Sequence, residues 1–305
     1  MGKLKRLISR VAQQIASLPM KAIGIHLRAD VLERLTEESI SVTTIPGNQI
    51  RFYTPSPLLM SRSASVLSKE TDTIQWIDSF EDGTVFWDIG ANVGVYSLYA
   101  AIKRSVSVLA FEPSAANFHV LSRNVHLNQL RDRVTAYCIA FSERSQLGML
   151  NMASPSMGAA VSQFGRSGEM SRYWDGQTVA ASHGMIGLAI DDFIAQFNPL
   201  FPNYLKIDVD GLEPQILQGA RTTLRDARLR SLLVELDVKH ESENRSTLSL
   251  LEEAGFRFVS NGPTQGSGGE LAANYLFHKG PSPIANNQAD SKDPKCSAES
   301  VQLAK

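Results

Sequence analysis

From about residue 84 to residue 279, short apolar runs alternate with longer stretches of helical period, and that alternation restricts the chain to a parallel sheet covered by helices. The first run, Val85-Phe86-Trp87-Asp88-Ile89, breaks into Gly90-Ala91-Asn92-Val93-Gly94, after which Val95, Leu98, Tyr99 and Ile102 recur at helical spacing. Val106 to Phe111 ends at Glu112-Pro113, where proline cannot extend a ladder, and Phe118, Leu121, Val125 and Leu130 resume a helical stripe. Val134 to Phe141 is a third run; Tyr204 to Asp210 is a fourth and feeds a helix with Ile216, Leu217, Ala220 and Leu224; Leu232 to Leu236 is the fifth. Phe256 to Val259 and Tyr275 to Phe277 flank a loop carrying Gly262, Gly266, Gly268 and Gly269, which reads as a terminal antiparallel pair. The fold expected is α/β, Rossmann-like and mostly parallel, with a terminal antiparallel strand.

Outside that region the patterns differ. Ser41 to Ile45 and Ile50 to Tyr53 around Pro46-Gly47-Asn48 read as a hairpin and Val66 to Phe80 as a helix, together a small N-terminal cap over residues 23–83. Residues 1–22 hold Lys3, Lys5, Arg6, Arg10 and Lys21 beside Leu4, Leu7, Ile8, Val11, Ile15 and Leu18 at helical spacing. This is a basic amphipathic helix, either packed on the domain or held peripherally at the inner face of a membrane. The tail, residues 280–305, is too polar to offset its chain entropy and is expected to be disordered. A formal charge of −1, from 30 basic against 31 acidic side chains, speaks against a nucleic-acid partner. Two cysteines, no secretory signal and no long apolar run point to the cytoplasm and leave no disulfide scaffold or cysteine-built zinc site.

In open parallel sheets ligands bind beyond the carboxyl ends of the strands, and the unusual residue clusters fall there. Asp88-x-Gly90-x-Asn92-x-Gly94 places two residues without a Cβ in the first turn, where backbone can approach a ligand, but lacks the spacing of a dinucleotide fingerprint. Glu112, one strand over, can accept two hydrogen bonds from a ribose diol, and Asp88 can face an ammonium through a water or the backbone. An amino acid joined to a nucleoside without phosphate describes S-adenosylmethionine. Singly, a strand-end acid can equally cap a turn or stay solvated.

The chain at this point resembles the FkbM-type S-adenosylmethionine-dependent methyltransferases. The resemblance runs from about Val85 to Leu236 and is carried by Phe86 to Gly94, Phe111-Glu112-Pro113, Asn124-x-x-x-Asn128 and Leu205-Lys206-Ile207-Asp208-Val209-Asp210-Gly211-x-Glu213. It implies a class I methyltransferase fold, the first turn and Glu112 on the cofactor, Asp208 near the methyl group, and O-methylation of a sugar, glycan or natural-product hydroxyl. Where Asp210 stands the family more often has Glu. Ala140, at the end of the third run, joins Asp88, Gly90, Asn92, Gly94 and Glu112 as the expected cofactor-binding set.

Lys206, Asp208 and Asp210 alternate onto one side of the fourth strand. A hydroxyl nucleophile must lose its proton as it attacks, and Asp208 is the candidate base or orienter, with His240 beyond the fifth strand as a second candidate base. Asp210 and Glu213 read as a capping box for the next helix, and a divalent metal on Asp208 and Asp210 is the weaker alternative, so no metal is expected. Asp191 and Asp192 read as N-cap and dipole partner of the helix that follows them. The Gly- and Ser-rich stretch Ser142 to Gly187 is long enough for a binding loop or lid, with Ser156 to Ala160, Tyr173 and Trp174 as an acceptor pocket or a small core of their own. From another class, a non-catalytic nucleoside-binding or scaffold protein would use the same fold.

Overall fold

The computed structural model describes Arg10 and residues 25–165, 178–237, 241–264 and 272–280. His240, Tyr173, Trp174, the remainder of the basic N-terminal stretch and the polar tail after Gly280 lie outside them. The cap comprises α1 (Ile25–Glu37), the hairpin β1 (Ile40–Ile45) and β2 (Asn48–Tyr53), α2 (Pro57–Ala64) and α3 (Thr71–Asp78). Then follow β3 (Val85–Ile89), α4 (Val95–Lys103), β4 (Ser107–Phe111), α5 (Ala115–Leu127) and β5 (Val134–Tyr137). The middle of the chain forms β6 (Ala140–Phe141), β7 (Gln146–Met152), β8 (Ser162–Gly165) and β9 (Ala181–Leu188). Last come α6 (Ile190–Phe197), β10 (Tyr204–Ile207), α7 (Glu213–Gln218), α8 (Arg221–Arg225), β11 (Ser231–Asp237), α9 (Glu241–Glu253), β12 (Phe256–Asn261) and β13 (Ala272–Lys279).

The central sheet has the order β12-β13-β11-β10-β3-β4-β5. Strands β5, β4, β3, β10 and β11 run parallel, whereas β13 enters antiparallel between β11 and β12. This is the expected Rossmann-like sheet with its antiparallel strand, and the chain direction across it reverses between β3 and β10, the switch point where ligands bind. Helices cover both faces, so strand residues are buried on both sides and read as continuous apolar runs. The period of two sends Phe86 to one core, with Trp76, Phe80 and Tyr204, and Trp87 to the other, with Phe111, Phe141 and Phe193. Among the described residues no helix is long and apolar enough to cross a membrane.

The sequence pattern misplaced three elements. The helix expected over Val66 to Phe80 is confined to Thr71–Asp78, and a helix the pattern did not mark, Pro57–Ala64, precedes it, started by Ser56, which accepts from the Leu59 amide with Pro57 in the first turn. The third run breaks after Tyr137, and Ala140–Phe141 leave the main sheet to pair with β9. The described residues of the stretch Ser142 to Gly187 supply the strands β7, β8 and most of β9, which with β6 form a second sheet, ordered β6-β9-β7-β8. Its glycines suggested loop, yet a Cβ at Gly148 would lie 2.7 Å from the Phe164 ring, and one at Gly187 would collide with it, so they make room for an aromatic side chain.

Asn124 on α5 and Asn128, the residue that caps its C-terminus, serve the outer edge of β2. Asn124 Oδ1 accepts from the Tyr53 amide at 2.7 Å, while its Nδ2 donates to the Val93 carbonyl at 2.8 Å. Asn128 grips Arg51 in the same way, accepting from its N–H at 2.9 Å and donating to its C=O at 2.7 Å. Two amide side chains thus replace a neighbouring strand and tie the cap to the glycine turn. Asn124→Ala strands two buried backbone groups and is expected to cost about 2–4 kcal/mol, against about 1 kcal/mol or less for Asn128→Ala at an edge that water reaches. Equal losses of the two variants in chemical denaturation would contradict this division.

Candidate functional site

Two adjoining clefts open at the carboxyl end of the parallel strands, enclosing about 670 Å³ and about 840 Å³. Both are lined by Gly90, Asn92 and Asp208, the first by Glu112, Asp210 and Glu235 as well, the second by Tyr96 and cap residues. A smaller apolar recess beside them is formed by Ile139, Ala140, Phe111 and Pro113 among others.

The turn after β3 is shaped by left-handed backbone at Gly90, Asn92 and Gly94. The two glycines are required by the protein's own packing. A Cβ at Gly90 would collide with the carbonyl of Asp208, and one at Gly94 would stand 2.5 Å from Leu121 Cδ1. Gly94 precedes the first turn of α4 and lines neither cleft, while Gly90 lines both. Asp88 lies behind the turn and is fully buried; its Oδ2 accepts from Ser97 Oγ at 2.6 Å and its Oδ1 has no partner. Burial raises its pKa against the opposing charge of Lys206.

Glu112 faces the turn. Its Oε2 accepts from the Asn92 amide and its Oε1 from the Ser114 amide, each at 2.8 Å. Burial pushes its pKa up to about 7, with those two amides acting in the other direction. Asn92 Nδ2 and Asn117 Nδ2 both donate to the Ala159 carbonyl at 3.0 Å, and Asn117 Oδ1 accepts from Gly158 N at 2.7 Å. The segment from Gly158 to Ser162 is thereby strapped across the strand ends.

Asp208 and Lys206 are brought together as the sequence implied, with Nζ 2.6 Å from Oδ2. Lys206 is buried and its ammonium lies 5.1 Å from the Tyr96 ring centroid. Burial would neutralise this ammonium, but Asp208, Glu70 and Asp88 outweigh that and hold it charged. In return, although burial opposes ionisation, Lys206 holds the Asp208 carboxyl below its ordinary range. Asp210 does not share this side. Strand β10 ends at Ile207, Asp210 takes a left-handed conformation, and its Oδ2 accepts from the amides of Val161 at 2.8 Å and Ser162 at 3.3 Å. It fastens the strap instead of capping α7, and burial with the Asp208 charge raises its pKa to about 6. Among the described residues no group of three or more His, Cys, Asp or Glu is placed to hold a metal ion.

Glu213 lies in the first turn of α7 and folds back so that Oε1 accepts from Val209 N at 2.8 Å and Gly211 N at 3.2 Å. Burial raises its pKa from 4.5 to about 8. An acid more basic in the folded than in the unfolded chain opposes folding as it ionises, so its contribution to stability is lost between pH 4.5 and about 8. Glu213→Gln keeps the acceptor and is expected to flatten that decline in denaturation experiments at the two ends of the range. A slope as steep as wild type would assign the decline to the other buried acids with raised pKa, Asp88, Glu112, Asp210 and Glu235.

Glu235, which sequence reasoning missed, lines the same cleft as Asp208 from the end of β11. The charge of Asp208, and then burial, raise its pKa well above the ordinary carboxylate range, so the pair favours one shared proton. Only its place near the end of the fifth apolar run, beside a strand already bearing Asp208, could have signalled it. Asp191 does not cap its own helix: its carboxylate accepts from Thr222 N at 2.8 Å and from Thr223 N at 2.9 Å in α8, while Asp192 accepts from Ser145 Oγ at 2.5 Å.

A family model described as the methyltransferase FkbM domain matches residues 88–258. "Methyltransferase 1" of the fungus Beauveria bassiana is 26% identical over 199 residues, covering 60% of this chain and 76% of the relative. The hexuronic acid methyltransferase AglP of Haloferax volcanii is 24% identical over 192 residues, 62% of this chain and 70% of that protein. Among solved structures, the precorrin-6y C5,15-methyltransferase of Geobacter metallireducens is similar with a TM-score of 0.40 at 12% identity, covering 69% of this chain and 87% of the other. The family match spans more than half of the chain and contains the glycine turn, Glu112, Asp208 and Glu235: the chain belongs to the FkbM family of methyltransferases.

Proposed function

We propose that this chain methylates a hydroxyl group on a sugar, glycan or natural-product acceptor, with S-adenosylmethionine as donor. The observation that carries the reading is Asp208, on the lining common to both clefts and held ionised by a buried lysine. The residues present suit the donor. Glu112 spends one lone pair of each oxygen on a backbone amide and retains another for a ribose diol. Asn92 Oδ1, buried without a partner, and Asp88 Oδ1 behind it are acceptors suited to an ammonium, directly or through water. Ile139, Ala140 and Pro113 offer an apolar recess for a purine. When bound, S-adenosylmethionine supplies a methyl carbon whose bond to sulfur breaks, the electron pair staying on sulfur, as an acceptor oxygen takes it.

The chain's own residues then have separable tasks. Asp208 accepts the hydrogen bond of the acceptor hydroxyl and aims its oxygen, and the Asp208–Glu235 pair receives the proton as the oxygen loses it. Lys206 keeps Asp208 ionised and fixed. The relative from Haloferax, named for a hexuronic acid, supports a sugar acceptor. Calorimetric titration of S-adenosylmethionine into wild type, Asp88→Ala and Glu112→Ala tests the cofactor reading. Binding by wild type that weakens about tenfold or more in both variants is expected. A folded wild type that binds nothing would favour the non-catalytic scaffold use of the fold.

A further inference from the structure

Charge is unevenly placed around the two clefts. The strand-end side presents Glu112, Asp208, Asp210 and Glu235, and among the described residues the basic ones of the lining are Lys206, Arg62 and Lys69. Lys206 is fully buried against Asp208. Arg62 and Lys69 come from the cap and line both clefts, with the hydroxyls of Ser61 and Ser65 beside them in the second.

Arg62 is the better placed of the two. It lies in α2, whose start is set by the Ser56 cap and Pro57, so its backbone is held by the cap's own structure. Its side chain is half-buried, and Nε donates to the Gly158 carbonyl of the strap. No hydrogen bond among the described residues occupies its two Nη groups. A guanidinium presents paired donors in a rigid fork that matches a carboxylate, and leaving such a fork half-buried and unused is costly. Lys69 already has an acidic partner, with Nζ 3.1 Å from Glu70, a buried acid itself held by Thr73 and Asn274. Elsewhere the described lining is acidic, so a negatively charged group of a ligand has its favourable place at this cap-side corner.

We propose that Arg62, supported by Lys69, forms a carboxylate-binding subsite at the junction of the two clefts. The inference rests on the cofactor reading above. One chemistry has two sources here, the α-carboxylate at the amino-acid end of the cofactor and the carboxylate of an acidic sugar acceptor.

The test is calorimetry on the full chain and its Arg62→Ala and Arg62→Lys variants. The probes are S-adenosylhomocysteine, 5′-methylthioadenosine, which keeps the nucleoside and sulfur but lacks the amino acid, and glucuronate against glucose in saturating S-adenosylhomocysteine. If the cofactor is the source, Arg62→Ala weakens S-adenosylhomocysteine about tenfold or more and 5′-methylthioadenosine by less than about twofold, with partial recovery in Arg62→Lys. If the acceptor is the source, both nucleosides bind the variant as wild type does, and the preference for glucuronate over glucose disappears. Equal loss for both nucleosides would overturn the proposal, because Arg62 would then act only by holding the strap through Gly158. No change with any probe would overturn it as well. A wild type that binds the two nucleosides equally and does not prefer glucuronate removes the subsite and leaves the cofactor reading standing. A folded wild type that binds neither nucleoside removes both.

Discussion

Asp208→Asn is expected to lower turnover about 10²- to 10⁴-fold while cofactor affinity stays within about threefold of wild type. The amide preserves volume and can still accept from Lys206 Nζ, now 2.6 Å from the carboxylate, but it can neither orient the hydroxyl as an anion nor share a proton with Glu235. The expected pattern is a fall in kcat with little change in the calorimetric Kd for S-adenosylmethionine. Some loss of thermal stability accompanies it, because Lys206 is buried and loses its counter-ion. Loss of cofactor binding with intact folding would instead move Asp208 to the cofactor. A Glu235→Gln variant sharpens the result. If the proton is shared, its turnover falls too and the acidic limb of the pH profile moves, whereas a Glu235 that merely fills space leaves that limb unchanged.

Gly90→Ala carries the second large effect, on stability and site together. Gly90 has φ +85°, where a side chain costs about 1–2 kcal/mol. Its added Cβ would sit 2.8 Å from the carbonyl carbon of Asp208 and closer still to the oxygen, so strands β3 and β10 would have to part at their ends. Displacement of packed backbone adds about 1–3 kcal/mol, for a total of about 2–5 kcal/mol and a fall in Tm on the order of 10 °C. Gly47→Ala in the turn between β1 and β2 is the control: φ is +78°, but nothing lies within 4 Å of the new Cβ. A Gly90 variant no less stable than the Gly47 variant would mean that the strand ends yield freely. Because the displaced carbonyl belongs to Asp208, the Gly90 variant is expected to lose cofactor binding and turnover as well.

Sequence patterning was informative wherever residues near in sequence make the structure. Five parallel strands and the antiparallel end were legible because both faces of the sheet are covered, which leaves unbroken apolar runs. The Lys206–Asp208 pair was legible because residues two apart on a strand share a side. Asp210 escaped the same rule because Asp208 still follows the ladder, its amide donating to the Ile89 carbonyl, whereas Asp210 itself is left-handed. The second sheet was hidden because its glycines accommodate Phe164, a contact between strands far apart in the chain.

By itself the sequence therefore determined the sheet, its glycine turn, and Glu112 and Asp208 as acids at strand ends on either side of that turn, since local periodicity and the alternation of strand faces suffice for these. Tertiary structure alone decided which atoms the turn glycines make way for, that Glu235 joins Asp208, that Asp210 and the asparagines hold a strap, and that Arg62 from the cap reaches the clefts. Those are distances between segments separated by tens to more than a hundred residues, and the burial and charged neighbours that set the charge state of each acid are properties of the assembled fold.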